Sequence, residues 1–147
     1  MLYISSDHGG FNLKNELVKY FSQNGMEFED LGPTEFVQGD DYNEYVLRLV
    51  ERIRAIKGSS GILICRNGVG VNILANKFMG IRAALSFDSK HAASTRNDDH
   101  ANVLTLPADY IDSATAIELT QAWLNTPFST EERHVRRVGS EEQYGQE

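Results

Sequence analysis

The run GILIC at positions 61–65 constrains this chain more than any other segment. It is continuously apolar, too short for a stable helix, and bounded by Gly58-Ser59-Ser60 and Arg66-Asn67-Gly68. A strand with one wet face alternates apolar and polar residues, whereas a strand covered on both faces has no need to. The run therefore predicts the central strand of a parallel sheet with helices on both sides.

The remaining segments alternate to match. Residues 2–5 predict a first strand. Residues 11–24 carry apolar side chains at 13, 17, 18 and 21, a helical spacing closed by Gly25. Residues 26–31 predict a second strand. Asp40 and Asp41 precede a helix whose Tyr42, Tyr45, Val46, Leu49, Val50 and Ile53 share one face, with Gly58 at its end. A glycine turn at 66–70 leads into a helix to about Phe78. Residues 81–85 predict a strand, 89 to about 96 a helix, and 101–106 a fifth strand. Asp112 is placed to cap a helix reaching Leu124. Ser129-Thr130-Glu131-Glu132 fits a capping box, with Ser129 as N-cap and Glu132 at N3, so a last helix is expected over about 129–140. The polar tail after Ser140 is expected to fray.

Five strands alternating with helices predict an α/β domain, a Rossmann-like three-layer sandwich with a five-stranded parallel sheet. The 147 residues suit one such domain over the whole length, 1–147. Ligands of these sheets sit beyond the carboxyl ends of the strands. Three segments are expected there: 7–10, 65–70 and 98–102, although the last precedes a strand.

A net charge of −7 argues against a nucleic-acid or anionic-membrane surface. Against that background Arg133, His134, Arg136 and Arg137 form a local basic cluster. The single cysteine, Cys65, excludes an intrachain disulfide. No apolar run approaches the ~18–20 residues that span a bilayer. The first ten residues lack a basic stretch followed by an apolar run, so no secretory leader is expected and the cytoplasm is the expected location. The chain lacks the full dinucleotide and Walker fingerprints, which makes a nucleotide-binding module the weakest reading.

Each candidate residue has two readings. Cys65 ends the buried strand and precedes a helix N-terminus, where the helix dipole and free N–H groups favour a thiolate; a buried cysteine is also ordinary packing. The turn Asn67-Gly68-Val69-Gly70 either supplies backbone freedom or forms an anion hole. Arg133 and Arg137, four apart, share a helical face, which is either a clamp for an anion or solvated surface. Asp7 either holds a substrate hydroxyl or caps the next helix. His8 lies beside it at the strand's carboxyl end, and Tyr42 is either a site wall or core.

Six stretches together resemble the family of ribose-5-phosphate isomerase B and the galactose-6-phosphate isomerase subunits: SSDHGGF (5–11), DYNEY (41–45), GILICRNGVGVNILANK (61–77), GIRAAL (80–85), ANVL (101–104) and ERHVRRV (132–138). The resemblance covers nearly the whole chain. It implies a doubly wound α/β fold, no metal or other cofactor, and a homodimer or homotetramer with active sites shared between subunits. It implies that Cys65 abstracts the proton, that Asn67, Gly68 and Gly70 hold the enediolate, and that His8, Arg133 and Arg137 bind the sugar phosphate. Lys77 and Arg82 also match the pattern and read as structural.

Three places depart from the pattern. Arg66-Asn67 stands where the family usually has Gly-Thr. Asp98 falls where a ring-opening histidine is expected, Asp99 where asparagine is expected, and His100 follows two residues later; of these, Asp98 is expected to face the site. Asp109 replaces a phosphate-contacting arginine. The expected activity is a cofactor-independent aldose–ketose isomerisation, ribose 5-phosphate to ribulose 5-phosphate. The alternatives are a six-carbon sugar phosphate, or a non-catalytic sugar-phosphate-binding homologue.

Overall fold

The computed structural model describes residues 1–141, 143 and 144. Its strands are β1 (Leu2–Ser6), β2 (Phe28–Asp30), β3 (Ser60–Cys65), β4 (Ala83–Leu85) and β5 (Val103–Pro107). Its helices are α1 (Phe11–Gln23), α2 (Tyr42–Ala55), α3 (Val69–Ala75), α4 (Ser89–Asp99), α5 (Ser113–Asn125) and α6 (Glu132–Glu141). The strands form one sheet in the order β2-β1-β3-β5-β4, with every neighbouring pair parallel. The α/β expectation holds, and β3 lies at the centre.

Alternation along the strands divides the core. Leu2 and Ile4, Ile62 and Ile64, and Leu104 and Leu106 face a layer containing Leu13, Leu17 and Phe21 of α1, Ala92 of α4, and Leu119 and Trp123 of α5. Tyr3, Leu63, Cys65 and Val103 face Val46, Leu49, Val50 and Ile53 of α2 and Val71 and Ala75 of α3. Both faces of β3 are thus covered, which is why its sequence does not alternate. No helix among the described residues is long and apolar enough to cross a membrane.

Several boundaries differ from expectation because side chains capture backbone groups. β4 begins at Ala83, not 81, because Ile81 N–H donates to the Phe78 carbonyl and Arg82 N–H donates to Asn102 Oδ1. Asn76 ends α3 early, its amide accepting from Ala83 N–H and donating to the Ala83 carbonyl. α2 stops at Ala55, before Gly58. α4 runs three residues past 96 to Asp99, closed by His100 in the left-handed region (φ 52°). The capping box does not form: the Ser129 hydroxyl accepts from Glu131 N–H, its own N–H donates to the Asn97 carbonyl, and α6 starts at Glu132. Of the expected polar tail, Glu141 closes α6 and Gln143 and Tyr144 make a turn; positions 142 and 145–147 lie outside the described residues.

Candidate active site

The chain order reverses between β1 and β3, so the loops leaving their carboxyl ends diverge and open a crevice. Asp7 and His8 leave β1, and Cys65 ends β3. The Asp7 N–H donates to the Ile64 carbonyl at 3.3 Å, tying the two loops together. Gly10 lets α1 start against β3, since a Cβ there would lie 2.5 Å from the Ile64 carbonyl oxygen. Asp7 Oδ1 accepts from Gly10 N–H at 3.0 Å, so it does hold the start of α1. Burial pushes its carboxyl above the usual range, partly offset by the Gly10 N–H and by His8.

Asp40 is a site residue that the sequence does not single out. Its Oδ1 accepts from the His8 backbone N–H at 2.7 Å and meets His8 Nδ1 at 2.8 Å, while its Oδ2 accepts from the Tyr45 hydroxyl at 2.8 Å. The pair is 32 residues apart, and Asp40 reads in sequence only as a neighbour of the N-cap Asp41. The hydrogen bond to Asp40 raises the His8 pKa above 6.5. Burial opposes ionisation of Asp40, but the bonds from His8 and Tyr45 outweigh it and hold its carboxyl below 3.8. Burial, then Asp40, pushes Tyr45 up to about 12.

The signs fix a pH window. The raised His8 pKa contributes stability that is full below 6.5 and lost as pH rises through the folded value. The lowered Asp40 pKa contributes stability present above 3.8 and lost as pH falls through its folded value. Both contributions overlap between those limits. Asp40→Asn is expected to return the His8 ring to about its free value, read by NMR titration, and to lower Tm most within the window. An unchanged His8 titration would show that Asp40 does not set it.

Beyond Cys65 the chain turns through Gly68, whose φ of +71° lies in the left-handed region and where a Cβ would lie 2.5 Å from the Leu85 side chain and 3.1 Å from the backbone of Leu106 and Pro107. Asn67 Oδ1 accepts from Val69 N–H at 3.0 Å and from the Cys65 thiol at 3.7 Å. The Asn67 amide nitrogen is therefore the donor left to its side chain, and the expected row of backbone N–H groups is interrupted at Val69. Tyr42 stands at the start of α2, and a Cβ on Gly70 would lie 2.8–2.9 Å from its ring and hydroxyl. It both borders the core and walls the turn. Two of the sequence departures meet here: Arg66 Nη1 lies 3.5 Å from Asp109 Oδ2. The Arg66 stem crosses Gly9, where a Cβ would lie 2.5 Å from its Cγ.

The other candidates lie at the opposite end of the sheet. Val103 pairs with Gly61 and Pro107 with Cys65, so the segment 98–102 enters β5 about 13 Å back along the strands from Cys65. The expectation that it lies at the carboxyl ends is wrong within one chain, because α4 carries it back across the sheet. Asp98 and Asp99 are helical and His100 caps the helix, so Asp98 and His100 do not share an extended face. His100 stacks on Phe128 (centroids 4.3 Å apart) and Arg82 Nε donates to its carbonyl. Asp99 is exposed. Asp98 Oδ1 lies 3.9 Å from Nδ1 of His134, a side chain of α6 that is 5% exposed and whose Nδ1 has no hydrogen-bond partner. Arg133 and Arg137 are exposed on the same helix, Arg133 bound to Glu131 at 2.8 Å. Within one chain the candidates thus fall into two groups: Asp7, His8, Tyr42, Cys65 and residues 67–70 at one end, and Asp98, Asp99, Arg133, His134 and Arg137 at the other.

Residues 2–140 match the model of the ribose/galactose isomerase family. The chain belongs to that family. A probable ribose-5-phosphate isomerase B from Mycoplasma pneumoniae is 44% identical over 138 residues, 94% of this chain and 90% of the relative. Ribose-5-phosphate isomerase B from Mycobacterium tuberculosis is 32% identical over 137 residues, 93% and 85% of the two chains. Among solved structures, ribose-5-phosphate isomerase B from Mycoplasma genitalium with bound ribulose-5-phosphate superposes with a TM-score of 0.93 at 34% identity, covering 99% of this chain and 96% of that one. The enzyme from Thermotoga maritima superposes at 0.92 with 35% identity, covering 97% of each. Membership bears out the resemblance carried by the sequence stretches. It also gives the Arg66–Asp109 pair its interest, since both residues stand where the sequence departs from that resemblance.

Proposed function

We propose that the chain interconverts ribose 5-phosphate and ribulose 5-phosphate by proton transfer through an enediolate, in the cytoplasm. The observation that carries this reading is the placement of Cys65: a buried thiol at the switch point of the sheet, beside Asp7 and His8 and directly before the glycine turn. The thiolate removes the proton from carbon 2. Negative charge moves onto the carbonyl oxygen at carbon 1, where the Asn67 amide and the N–H groups of Gly68 and Gly70 are placed to receive it. The proton returns at carbon 1, the carbon 2 hydroxyl loses its proton as it becomes the ketone, and the carbon 1 oxygen gains one. His8, fixed by Asp40, binds the phosphate with Arg133 and Arg137.

The separation of the two groups supports reading them as half-sites of a composite site in which a second copy brings Asp98, Arg133 and Arg137 to Cys65. The rim around Cys65 fits a surface that another chain covers. Phe87 is 60% exposed and Tyr110 75%, and with Val69, Leu85 and Pro107 they line a cleft of about 520 Å³ beside Asn67. Arg66, tethered by Asp109, replaces the cation that the family pattern has at 109 and narrows the mouth over Gly9, which favours a five-carbon sugar over a six-carbon one.

Ring opening falls to Asp98, with the buried His134 behind it; the His100 ring is held by Phe128. Asp98→Asn and His134→Asn are each expected to slow ribose 5-phosphate about a hundredfold, the lower end of general acid–base effects. A sugar phosphate that cannot cyclise should be spared, and His100→Asn should have a smaller effect. Equal loss on both substrates would remove ring opening from Asp98. The reaction itself is tested by incubating the purified protein with ribose 5-phosphate, allose 6-phosphate or galactose 6-phosphate and measuring ketose. Ketose from ribose 5-phosphate first is the expected result; binding without ketose would make this a non-catalytic homologue.

A further inference from the structure

A second cleft, of about 670 Å³, opens at the amino ends of β3 and β5, away from Cys65. Arg54 and Lys57 border it from the end of α2 and the turn that follows, Arg82 from the approach to β4, and Arg96 from α4. No aspartate or glutamate among the described residues lines it. In a chain of net charge −7, such a concentration of cations asks for a cause.

Helix dipoles are the obvious structural cause, because α2 and α4 both end here. Each helix C-terminus carries about −0.5 of a charge, so the two supply about −1. Arg54, Lys57 and Arg96 exceed that even with Arg82 left aside. The Arg96 guanidinium donates to the Ala101 carbonyl at 2.6 Å and covers the Trp123 ring at 5.1 Å. Burial first, and then the neighbouring Arg82, depress its pKa, as expected where like charges crowd together.

A second observation is independent of charge. Ser59 borders the same cleft, is 5% exposed, and its hydroxyl is buried with no hydrogen-bond partner. Buried hydroxyls are nearly always satisfied, and an orphan beside a cationic cleft is a donor in need of an acceptor. We propose that this cleft binds a phosphorylated small molecule carrying two or more negative charges, through Arg54, Lys57, Arg96 and the Ser59 hydroxyl. The volume exceeds that of a lone phosphate and lies in the range of small-molecule sites. The inference does not depend on the isomerase reading.

Calorimetric titration with inorganic pyrophosphate and with ADP tests it, using an Arg133→Ala/Arg137→Ala protein so that the proposed substrate clamp is weakened and the Arg54 and Lys57 variants report on this cleft. Saturable, salt-sensitive binding is expected. The double variant Arg54→Gln/Lys57→Gln should weaken it by about tenfold or more, as loss of charge-assisted contacts does, without lowering Tm. Ser59→Ala should also weaken it while leaving the free protein as stable or more so, which a purely structural serine would not do. Equal affinities for the two probes assign recognition to the phosphates alone; tighter ADP assigns part of it to the nucleoside. Absence of binding in the Arg133→Ala/Arg137→Ala protein, or affinity unchanged in both sets of variants, would overturn the proposal.

Discussion

Cys65→Ala is expected to lower kcat on ribose 5-phosphate by about 10²–10⁴-fold, the range for loss of a positioned proton-transfer group, while KM changes little. The separation follows from the geometry. Sγ points into the layer formed by α2 and α3 at the carboxyl end of β3, whereas the proposed phosphate ligands are His8 and the arginines of α6. Removing the thiol would take away the proposed base without touching the proposed clamp, so the loss should fall on the chemical step. Cys65→Ser keeps the size of the side chain but supplies a poor base at neutral pH, and should be nearly as inactive. A KM rise at constant kcat would instead make Cys65 a binding residue.

Subunit mixing should give the second large effect. Arg137→Ala alone is expected to raise KM strongly, because a charge-assisted phosphate contact is lost, and Cys65→Ala alone to be nearly inactive. Within one chain these residues belong to different half-sites. If a second copy completes the site, a hybrid of the two variants contains one intact site, formed by Cys65 of one subunit and Arg137 of the other. In a two-fold dimer the isolated hybrid should then show about half of wild-type activity, and a random mixture of the two variants about a quarter. Co-expression with separate affinity tags isolates the hybrid, and its rate at low ribose 5-phosphate reads the result. A hybrid no more active than its parents would place the whole site in one chain.

Most of the sheet was legible because burial writes itself into sequence: GILIC lacks alternation only because α1 lies over one face and α2 and α3 over the other. Helix ends were less legible. Asn76, Asn102 and Ser129 each redirect backbone groups through partners that spacing does not reveal. At the candidate site, the placement of Cys65 and the glycine turn was legible because they directly follow a buried strand. Asp40 was not, since its link to His8 spans 32 residues and exists only once α2 packs on the sheet. Nor was His134, which reads as one more member of a basic stripe yet is buried against Asp98. The segment 98–102 was misplaced for a related reason: its chemistry suggested the carboxyl end, and the return path of α4 puts it at the other.

The most direct test of proton-transfer isomerisation is ¹H NMR of ribose 5-phosphate incubated with the wild-type protein in D₂O. The expected result is ribulose 5-phosphate carrying deuterium at carbon 1, formed by Cys65→Ala at least about a hundredfold more slowly. Wild-type protein that leaves ribose 5-phosphate unchanged, or a Cys65→Ala protein that makes labelled ketose as fast as wild type, would contradict it.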